Sequence, residues 1–163
     1  MTGGQPRIRA AVPGDVDAMH ELIAELARNT GLARKYHGTP AAYREHGFGE
    51  RRLFDALVAE KGTTIVAVSL YFYTYSSWRG EPGVYVQDLV VAPDARGEGI
   101  GRLLLAETAR VARGKGATHL RLAVDRDNVA AMRFYKQCGL SPADDDRIFQ
   151  IAGSGFTELC DGS

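Results

Sequence analysis

The segment best suited to chemistry is a glycine-rich loop, Arg96-Gly97-Glu98-Gly99-Ile100-Gly101, which follows a predicted strand and opens a predicted helix. Amides at the start of a helix have no intrahelical acceptor, and the helix dipole adds positive potential, so such a loop can bind an anion such as phosphate. Glycines also let a ligand approach the backbone without Cβ clashes. A loop that only turns the chain explains the glycines equally well, so both interpretations stay open at this point.

The residues around the loop argue against the common nucleotide-binding motifs. A P-loop requires Gly-Lys-Ser/Thr, but Gly101 is followed by Arg102-Leu103. The dinucleotide-binding fingerprint requires glycine where this chain has Leu104, if counting starts at Gly99, and it follows its strand directly, whereas residues 92–95 intervene here. Nucleoside triphosphate hydrolysis is therefore excluded, and dinucleotide binding remains only a weaker alternative.

The elements that must position this loop follow from the spacing of apolar residues and from turn signals. Strands are predicted at residues 7–12, 57–60, 64–76, 84–91, 118–124 and 147–151. Helices are predicted from Asp15 to about Asn29, around residues 50–56, from Ile100 to Gly114 and from about Asn128 to Cys138. Residues 32–50 have no clean period and are expected to form a loop with a short helical piece.

Length and composition narrow the class of protein. A length of 163 residues predicts a single domain over residues 1–163, with a flexible N-terminus at 1–6. The chain carries 20 basic and 20 acidic side chains, and this balance of charge argues against nucleic-acid and membrane-surface partners. No apolar run is long enough to span a bilayer and no signal pattern opens the chain, so we expect a cytoplasmic protein. The two cysteines and four histidines lack metal-ligand spacing, so no metal site is expected.

Several motifs in order along the chain resemble the GNAT family of N-acetyltransferases. The pattern Arg96-x-x-Gly99-x-Gly101, preceded by Asp88-Leu89-Val90-Val91, is similar to the family's acetyl-coenzyme A signature. Asn128, Phe134-Tyr135-Lys136 and Gly139-Leu140 follow in the family's order. Three further segments look like the diamine branch, which acetylates spermidine, spermine and thialysine: Phe48-Gly49-Glu50, residues 73–80 and residues 85–89.

The resemblance implies an α/β (α+β) fold with a central mixed, mostly antiparallel sheet flanked by about four helices. The sheet would splay between the strand at 84–91 and the strand at 118–124, and acetyl-CoA would enter the opening with its pyrophosphate on the amides of residues 96–101. The implied coenzyme-binding residues are Leu89, Val90, Val91, Arg96, Gly97, Glu98, Gly99, Ile100, Gly101, Arg102, Asn128 and Lys136. Helix capping alone explains Asn128, and a solvated charged face is the commoner role for Arg102 and Lys136.

Acetylation of an amine requires removal of a proton from the ammonium and donation of a proton to the departing thiolate. The resemblance places Tyr135 near the coenzyme sulfur as the proton donor, and Gln87 where the polyamine branch commonly has a glutamate assigned as the base. An amide cannot accept that proton. Two accounts follow: Asp88, or a carboxylate such as Glu50, acts as base through a water, or the protein binds acyl-CoA without catalysing acetylation.

For the acceptor, we expect a primary amine of a small molecule: a polyamine, a diamine or a lysine-like amine. Tyr75 and Trp78 could flank an ammonium group through cation–π contacts, and Glu50 and Asp88 could pair with it. Packing in a core or interface is the commoner role for such aromatic residues. Because members of the diamine branch commonly pair and share the active-site groove, the resemblance also implies a homodimer.

Overall fold

The computed structural model describes residues 4–162, and its internal contacts divide the chain into two compact units, Met1–Ala123 and Val124–Ser163. The prediction of a single domain stays a prediction. Of the expected flexible N-terminus, residues 1–3 lie outside the described residues, and residues 4–6 precede the first strand without regular structure. Within residues 4–162 none of the helices combines the length and apolar character needed for a membrane crossing.

The first unit is built on one five-stranded sheet in the order β1-β2-β3-β4-β5. Its strands are β1 Arg7–Ala10, β2 Asp55–Lys61, β3 Thr64–Ser76, β4 Glu81–Val91 and β5 His119–Leu122. Neighbouring strands are antiparallel except for β4 and β5, which are parallel. The mixed, mostly antiparallel sheet expected from the sequence is thus confirmed. Three helices belong to the same unit: α1 Val16–Asn29, α2 Pro40–Phe48 and α3 Ile100–Gly114.

The two faces of β3 pack against different helices because successive side chains of a strand point in opposite directions. Val68 and Leu70 join Met19 and Ile23 of α1 in one buried apolar cluster. Ser69, between them, points to α3, where its Oγ lies 2.9 Å from the Oγ1 of Thr108. We refer below to the α1 face and the α3 face of the sheet.

The Ser69–Thr108 pair connects the sheet to the helix that carries the glycine loop. Both side chains are fully buried, and Thr108 Oγ1 also lies 2.9 Å from the carbonyl oxygen of Leu104. Two hydroxyls in an apolar layer must satisfy each other, because burial of an unpaired one costs about 1–3 kcal/mol. The pair therefore fixes the position of α3 along β3.

The predicted helix around residues 50–56 is wrong. Helix α2 ends at Phe48, and β2 begins at Asp55, which pairs with Tyr71 of β3. Between them the chain folds back on α2: the Leu53 amide donates to the carbonyl of His46, and the Phe54 ring packs where a Cβ at Gly47 would collide with it. Strand pairing and this contact override the local helical pattern.

The second unit contains helices α4 Val129–Gln137 and α5 Ser154–Asp161. Helix α4 confirms the predicted helix, whereas no prediction covered α5. The predicted strand at residues 147–151 is wrong: no strand is assigned there, and Ile148, Phe149 and Ile151 are exposed. Apolar alternation alone cannot create a strand, because a strand requires a partner for its backbone hydrogen bonds.

The Ser69–Thr108 pair predicts an unusual order of stabilities. Thr108→Val leaves the Ser69 hydroxyl buried without a partner, so we expect a loss of about 1–3 kcal/mol in the free energy of unfolding. The double variant Ser69→Ala/Thr108→Val removes both polar groups and should recover much of that loss. Urea denaturation of the wild type, both single variants and the double variant measures this. A double variant with the summed loss of the two single ones would contradict the assignment.

Candidate active site

Strand β4 carries one residue more than β3 can pair with, and this extra residue is Gln87. Leu70 of β3 pairs with Asp88 and Tyr71 pairs with Val86, so a β-bulge lies at Gln87. A bulge shifts the alternation of side chains along its strand. Val86 therefore lies opposite Tyr71 on the α3 face, and Asp88 lies opposite Leu70 on the α1 face. Gln87 itself is exposed.

The bulge directs the carboxylate of Asp88 into the apolar side of the sheet. Its cross-strand partner Leu70 and its neighbour Val90 both belong to the cluster beneath α1. Burial there disfavours the charged carboxylate and raises the pKa of Asp88 to about 6. Burial is the single cause of this shift. A carboxylate with such a pKa is ionised at pH 7 and is a stronger base than an exposed aspartate.

A hydrogen-bonded pair of tyrosines packs on the same α1 face. The hydroxyl oxygens of Tyr36 and Tyr43 lie 2.9 Å apart, and both rings contact the cluster that contains Leu70. The charge of Asp88 contributes to raising the pKa of both hydroxyls, although burial is the larger cause for each. Both phenols are therefore neutral at physiological pH and lie within electrostatic range of the Asp88 carboxylate.

The pairing between β4 and β5 ends where the bulge begins. Parallel pairing runs from Gly83–His119 to Val86–Leu122, whereas β4 continues alongside β3 as far as Val91. In the described part of the chain, the backbone of residues 87–91 therefore has a strand partner on one side only. This geometry is the splay that the resemblance implies, and it leaves backbone groups near Leu89 available to a ligand.

The glycine loop leads from β4 into α3 with its backbone open to solvent. Gly97 and Gly99 have φ angles of +80° and +79°, a left-handed conformation that glycine adopts without strain. Gly99 is the N-cap of α3, and the Leu103 amide makes the first intrahelical bond, 3.1 Å from the Gly99 carbonyl. The preceding amides of Ile100, Gly101 and Arg102 have no intrahelical acceptor and can bind an anion.

Two side-chain contacts shape this loop without covering it. The Nε of Arg96 donates to the carbonyl of Val91 at 3.1 Å, so this side chain ties the loop to the end of β4. Glu98 forms an ion pair with Lys61, the last residue of β2. The pairing offsets a negative charge that would otherwise repel a phosphate. Residues 96–99 are all exposed, and Ile100 is buried as the anchor of α3.

Three of the predicted site residues lie in the second unit. Asn128 caps α4, since its Oδ1 accepts a hydrogen bond of 3.0 Å from the Ala131 amide. Tyr135 is partly buried, and its ring lies edge-on to Phe134 at 5.1 Å. Lys136 is exposed in the last turn of α4.

The predicted acceptor residues outside β4 are all exposed. Glu50 lies in the turn after α2, Tyr75 near the end of β3, and Trp78 at the tip of the β3–β4 hairpin. Trp78 is fully exposed and buries none of its ring. Of the expected acceptor-binding residues, only Asp88 lies in the apolar layer beside the bulge.

An open cavity of about 290 Å³ lies elsewhere on the first unit, beyond the end of α3 opposite the glycine loop. Its charged groups already have partners: Asp55 pairs with Arg52 at 2.5 Å and with Lys115 at 3.9 Å, and Lys115 lies 5.1 Å from the centre of the Tyr73 ring. None of the predicted site residues lines this cavity. Within residues 4–162 no cluster of three or more potential metal-ligating side chains is found.

The sequence analysis missed the tyrosine pair and the histidine beside it. His20 lies 5.7 Å from the Tyr36 ring and 6.0 Å from the Tyr43 ring, between ring centres. These residues lie in α1 and in the region 32–50, whose weak periodicity gave no helix to place them on. The one available signal was Pro40 after Thr39, a common helix start: Thr39 is the N-cap of α2, and its side chain accepts from the Ala42 amide.

Known proteins resemble this chain over most of its length. The profile of the "Acetyltransferase (GNAT) family" matches residues 17–140. The chain is 37% identical to thialysine N-epsilon-acetyltransferase of Bos taurus, over 93% of this chain and 95% of that protein. It is 35% identical to the Mus musculus protein of that name, over 94% and 96% of the two chains. It is also 30% identical to spermidine/spermine N(1)-acetyltransferase-like protein 1 of Homo sapiens, over 95% of this chain and 23% of that protein.

Solved structures share the fold at lower sequence identity. An integron cassette protein from the mobile metagenome of V. cholerae aligns with a TM-score of 0.81 at 20% identity, covering 97% of this chain and 99% of the other. A possible acetyltransferase from Clostridium difficile aligns with a TM-score of 0.75 at 19% identity, covering 92% and 99%. The matched profile and the relatives at 35–37% identity show that this chain belongs to the GNAT family, in which it is an acetyltransferase near the thialysine and polyamine branch.

Proposed function

We propose that the protein transfers an acetyl group from acetyl-CoA to a primary amine of a small molecule by direct attack in a ternary complex. The observation that carries the proposal is the Asp88 carboxylate, partly buried beside the bulge with a pKa of about 6, next to the point where the pairing of β4 with β5 ends. The relatives named thialysine N-epsilon-acetyltransferase support an amine acceptor. The acceptor class is a polyamine, a diamine or a lysine-like amine.

The donor acetyl-CoA binds along β4 and the glycine loop. The backbone amides of residues 96–101 bind its pyrophosphate at the start of α3, and the edge of β4 at Leu89–Val91, which lacks a strand partner in the described chain, binds its pantetheine arm. Arg102, one helical position further, adds positive charge for a phosphate. Asn128 and Lys136 are proposed as further contacts to the coenzyme on the strength of the family resemblance.

Asp88 supplies the base that Gln87 cannot supply. An alkyl ammonium has a pKa of about 10.4, so an amine at pH 7 must lose a proton before it attacks. Because the bulge turns Gln87 outward and Asp88 inward, the group able to accept that proton lies one residue further along β4 than the family's usual base. Asp88 takes the proton either directly or through one water.

Acetyl transfer then requires formation of a carbon–nitrogen bond and cleavage of the carbon–sulfur bond. The neutral amine forms a bond to the thioester carbonyl carbon, and the main-chain amide near Leu89 stabilises the negative charge that develops on the carbonyl oxygen. The carbon–sulfur bond then breaks, and the hydroxyl of Tyr135, assigned by family resemblance, donates a proton to the departing thiolate. The acetylated nitrogen loses its second proton, which returns through water to the Tyr135 phenolate, and Asp88 releases the first proton to solvent. The products are the N-acetylated amine and coenzyme A.

The other parts of the proposal concern the acceptor and the assembly. Tyr75 and Trp78 at the exposed hairpin, together with Glu50, contribute to acceptor binding, and a fully exposed Trp78 is consistent with a surface that a ligand or a second copy covers. A homodimer, implied by the family resemblance, and the cytoplasmic location expected from the sequence remain part of the proposal. The alternative of a non-catalytic acyl-CoA sensor is disfavoured, because the relatives that span this chain are named as acetyltransferases.

An acceptor panel tests the proposed activity. The protein is incubated with acetyl-CoA and with putrescine, spermidine, spermine, lysine and thialysine in turn, and release of free coenzyme A thiol is followed. We expect at least one primary amine to raise the rate well above the hydrolysis background. A tertiary amine of similar charge, which cannot form an amide, is the matched control. No stimulation by any primary amine would contradict the proposed function.

The glycine loop predicts a specific loss of donor binding. Gly99→Ala places a Cβ on a residue with φ +79°, so the start of α3 must distort. We expect coenzyme A affinity, measured by calorimetry, to fall about tenfold or more. Gly116→Ala is the matched control, because it imposes the same kind of strain, at φ +91°, beyond the opposite end of the same helix. Equal losses in both variants would show a general effect on stability rather than a phosphate site.

Asp88 as the base predicts a defined pH profile. Below about pH 6 the carboxyl is protonated and cannot accept a proton, so kcat/KM for the amine should fall about tenfold per pH unit. Asp88→Asn should lower kcat about 100-fold or more and abolish that limb. Glu50→Gln is the comparison variant, since Glu50 is the other candidate carboxylate. Loss of the acid limb in Glu50→Gln, with Asp88→Asn near wild type, would assign the base to Glu50.

The Asp88→Asn variant should be more stable than the wild type at pH 7, although it loses activity. The pKa of Asp88 is about 6 in the folded protein and 3.8 for an ordinary aspartate. At pH 7 the folded protein therefore holds a charged carboxylate where burial disfavours the charge, which lowers the free energy of unfolding by roughly 3 kcal/mol. Asp88→Asn should therefore unfold at a higher urea concentration at pH 7, and the gain should shrink toward pH 4, where the wild-type carboxyl is protonated in the folded state. A destabilised Asp88→Asn at pH 7 would contradict the burial argument.

A further inference from the structure

The proposed mechanism leaves unused the polar cluster on the α1 face formed by Tyr36, Tyr43, His20 and the backbone of Gly38. Tyr36 and Tyr43 are partly buried, pack on the apolar cluster that contains Leu70, and point their hydroxyls at each other. Leu70 is the cross-strand partner of Asp88, so the carboxylate and the hydroxyl pair share one side of the sheet.

The hydroxyl pair retains hydrogen-bonding capacity after its own bond is made. Two phenols provide two donors and four lone pairs, and the 2.9 Å bond between Tyr36 and Tyr43 uses one of each. One donor and three lone pairs remain. Burial raises the pKa of both phenols, so they stay protonated and neutral while Asp88 nearby carries the only charge among the three groups.

The rest of the cluster holds the pair in place. His20 packs against both tyrosine rings, and its Nε2 donates to the carbonyl of Gly38 at 3.1 Å. A carbonyl only accepts, so this bond fixes the proton on Nε2. A Cβ at Gly38 would lie 2.7 Å from the Tyr36 hydroxyl oxygen, although the φ of Gly38 is not in the left-handed region. A side chain at position 38 would therefore force the Tyr36 ring to shift from this position.

We propose that the Tyr36–Tyr43 hydroxyl pair binds the acceptor amine beside Asp88 and orients its lone pair for attack on the thioester. This inference rests on the proposed function, because it assigns residues to the acceptor side of that site. Once Asp88 has taken one proton, a primary amine keeps two N–H donors and one lone pair. Hydroxyl oxygens fixed on one side accept from those donors, which directs the lone pair away from them.

The composition of this site also specifies the class of acceptor. One carboxylate and neutral hydroxyl oxygens match a single primary ammonium, which has three N–H donors for three acceptor groups. A tertiary ammonium has one N–H donor and a quaternary ammonium has none, so acceptor oxygens would be buried without a partner and would oppose binding. We therefore expect discrimination between primary and tertiary amines to originate at this pair.

The experiment compares Tyr36→Phe, Tyr43→Phe and the double variant with the wild type, using the best primary amine from the acceptor panel. Loss of one hydrogen bond should raise KM for the amine roughly threefold to tenfold in each single variant. KM for acetyl-CoA should not change. Because the two hydroxyls act as one unit, the double variant should lose less than the product of the two single losses.

Tyr71→Phe is the matched control, since it also removes the hydroxyl of a buried tyrosine. Tyr71 lies in β3 on the α3 face, on the other side of the sheet from the Tyr36–Tyr43 pair. Calorimetric titration of the amine into the coenzyme A complex provides a binding readout that does not depend on turnover. If the wild type is active and Tyr36→Phe, Tyr43→Phe and the double variant all keep its KM and affinity for the amine, this inference is overturned. The proposed function is then unaffected. A wild type that acetylates no primary amine overturns both.

Gly38→Ala tests the same site with both hydroxyls retained. The added Cβ must push the Tyr36 ring away from Tyr43, so this variant should reproduce the higher amine KM of Tyr36→Phe. Gly14→Ala is its control, because a Cβ at Gly14 meets no atom within 4 Å. A Gly38→Ala protein that unfolds at the wild-type urea midpoint and keeps the wild-type amine KM contradicts the proposed role of the pair.

Discussion

The site depends on one mismatch in the sheet, since β4 has one residue more than β3 can pair with between Val86 and Asp88. On the β3 side the mismatch is absorbed as a bulge at Gln87. On the other side, β4 and β5 separate at the same level, after the Val86–Leu122 pair. If β4 were regular, Asp88 and Val86 would share one face. Because of the bulge, Val86 lies on the α3 face and Asp88 on the α1 face. Asp88 is therefore next to the part of β4 that has no β5 partner.

The carboxylate is held in this position at a cost in stability, because burial raises the pKa of Asp88 without a compensating ion pair. Arg9 and Asp15 show the opposite arrangement in the same unit. Their two side chains meet at 2.7 and 3.0 Å, and the bonds from Arg9 lower the pKa of Asp15. The Asp15 pair stabilises the turn into α1, whereas Asp88 has no such structural benefit. Within the described residues Asp88 has no ion-pair partner, and a partly buried acid of this kind suits the role of base that we propose for it.

Some elements of the fold and of the site could be predicted from the sequence and others could not. Helix α3 and the loop before it were predictable, because apolar residues at helical spacing begin directly after three glycines, two of which adopt φ angles that favour glycine. The bulge was not predictable, because alternation in residues 84–91 continues through Gln87 and only the pairing with β3 reveals the extra residue. Asp88 could therefore be selected as a candidate base, but its face of the sheet could not be assigned.

The same limit explains the errors. The segments at residues 50–56 and 147–151 have local patterns of a helix and a strand, yet the first is controlled by contacts with α2 and β3, and the second has no strand assigned. The tyrosine pair was missed for a related reason. Tyr36 and Tyr43 are seven residues apart, and their hydroxyls meet although only Tyr43 lies in a helix, because residues 36–39 before α2 have no regular structure. Local propensity does not encode that approach.

Replacement of the family's usual glutamate by Gln87 fits with these features of the α1 face. A carboxylate at the exposed bulge position would be solvated, with an ordinary pKa, and would be a weak base. An amine could reach it without leaving water. A base one residue later works in an apolar layer, where its basicity rises but the amine must leave water to reach it. An ammonium entering that layer needs acceptors for its remaining N–H groups, because burial of unmatched donors is unfavourable. In the proposed site the neutral hydroxyls of Tyr36 and Tyr43, on the same side of the sheet as Asp88, would satisfy this requirement. A second negative charge in their place would raise the pKa of Asp88 further and protonate it at pH 7.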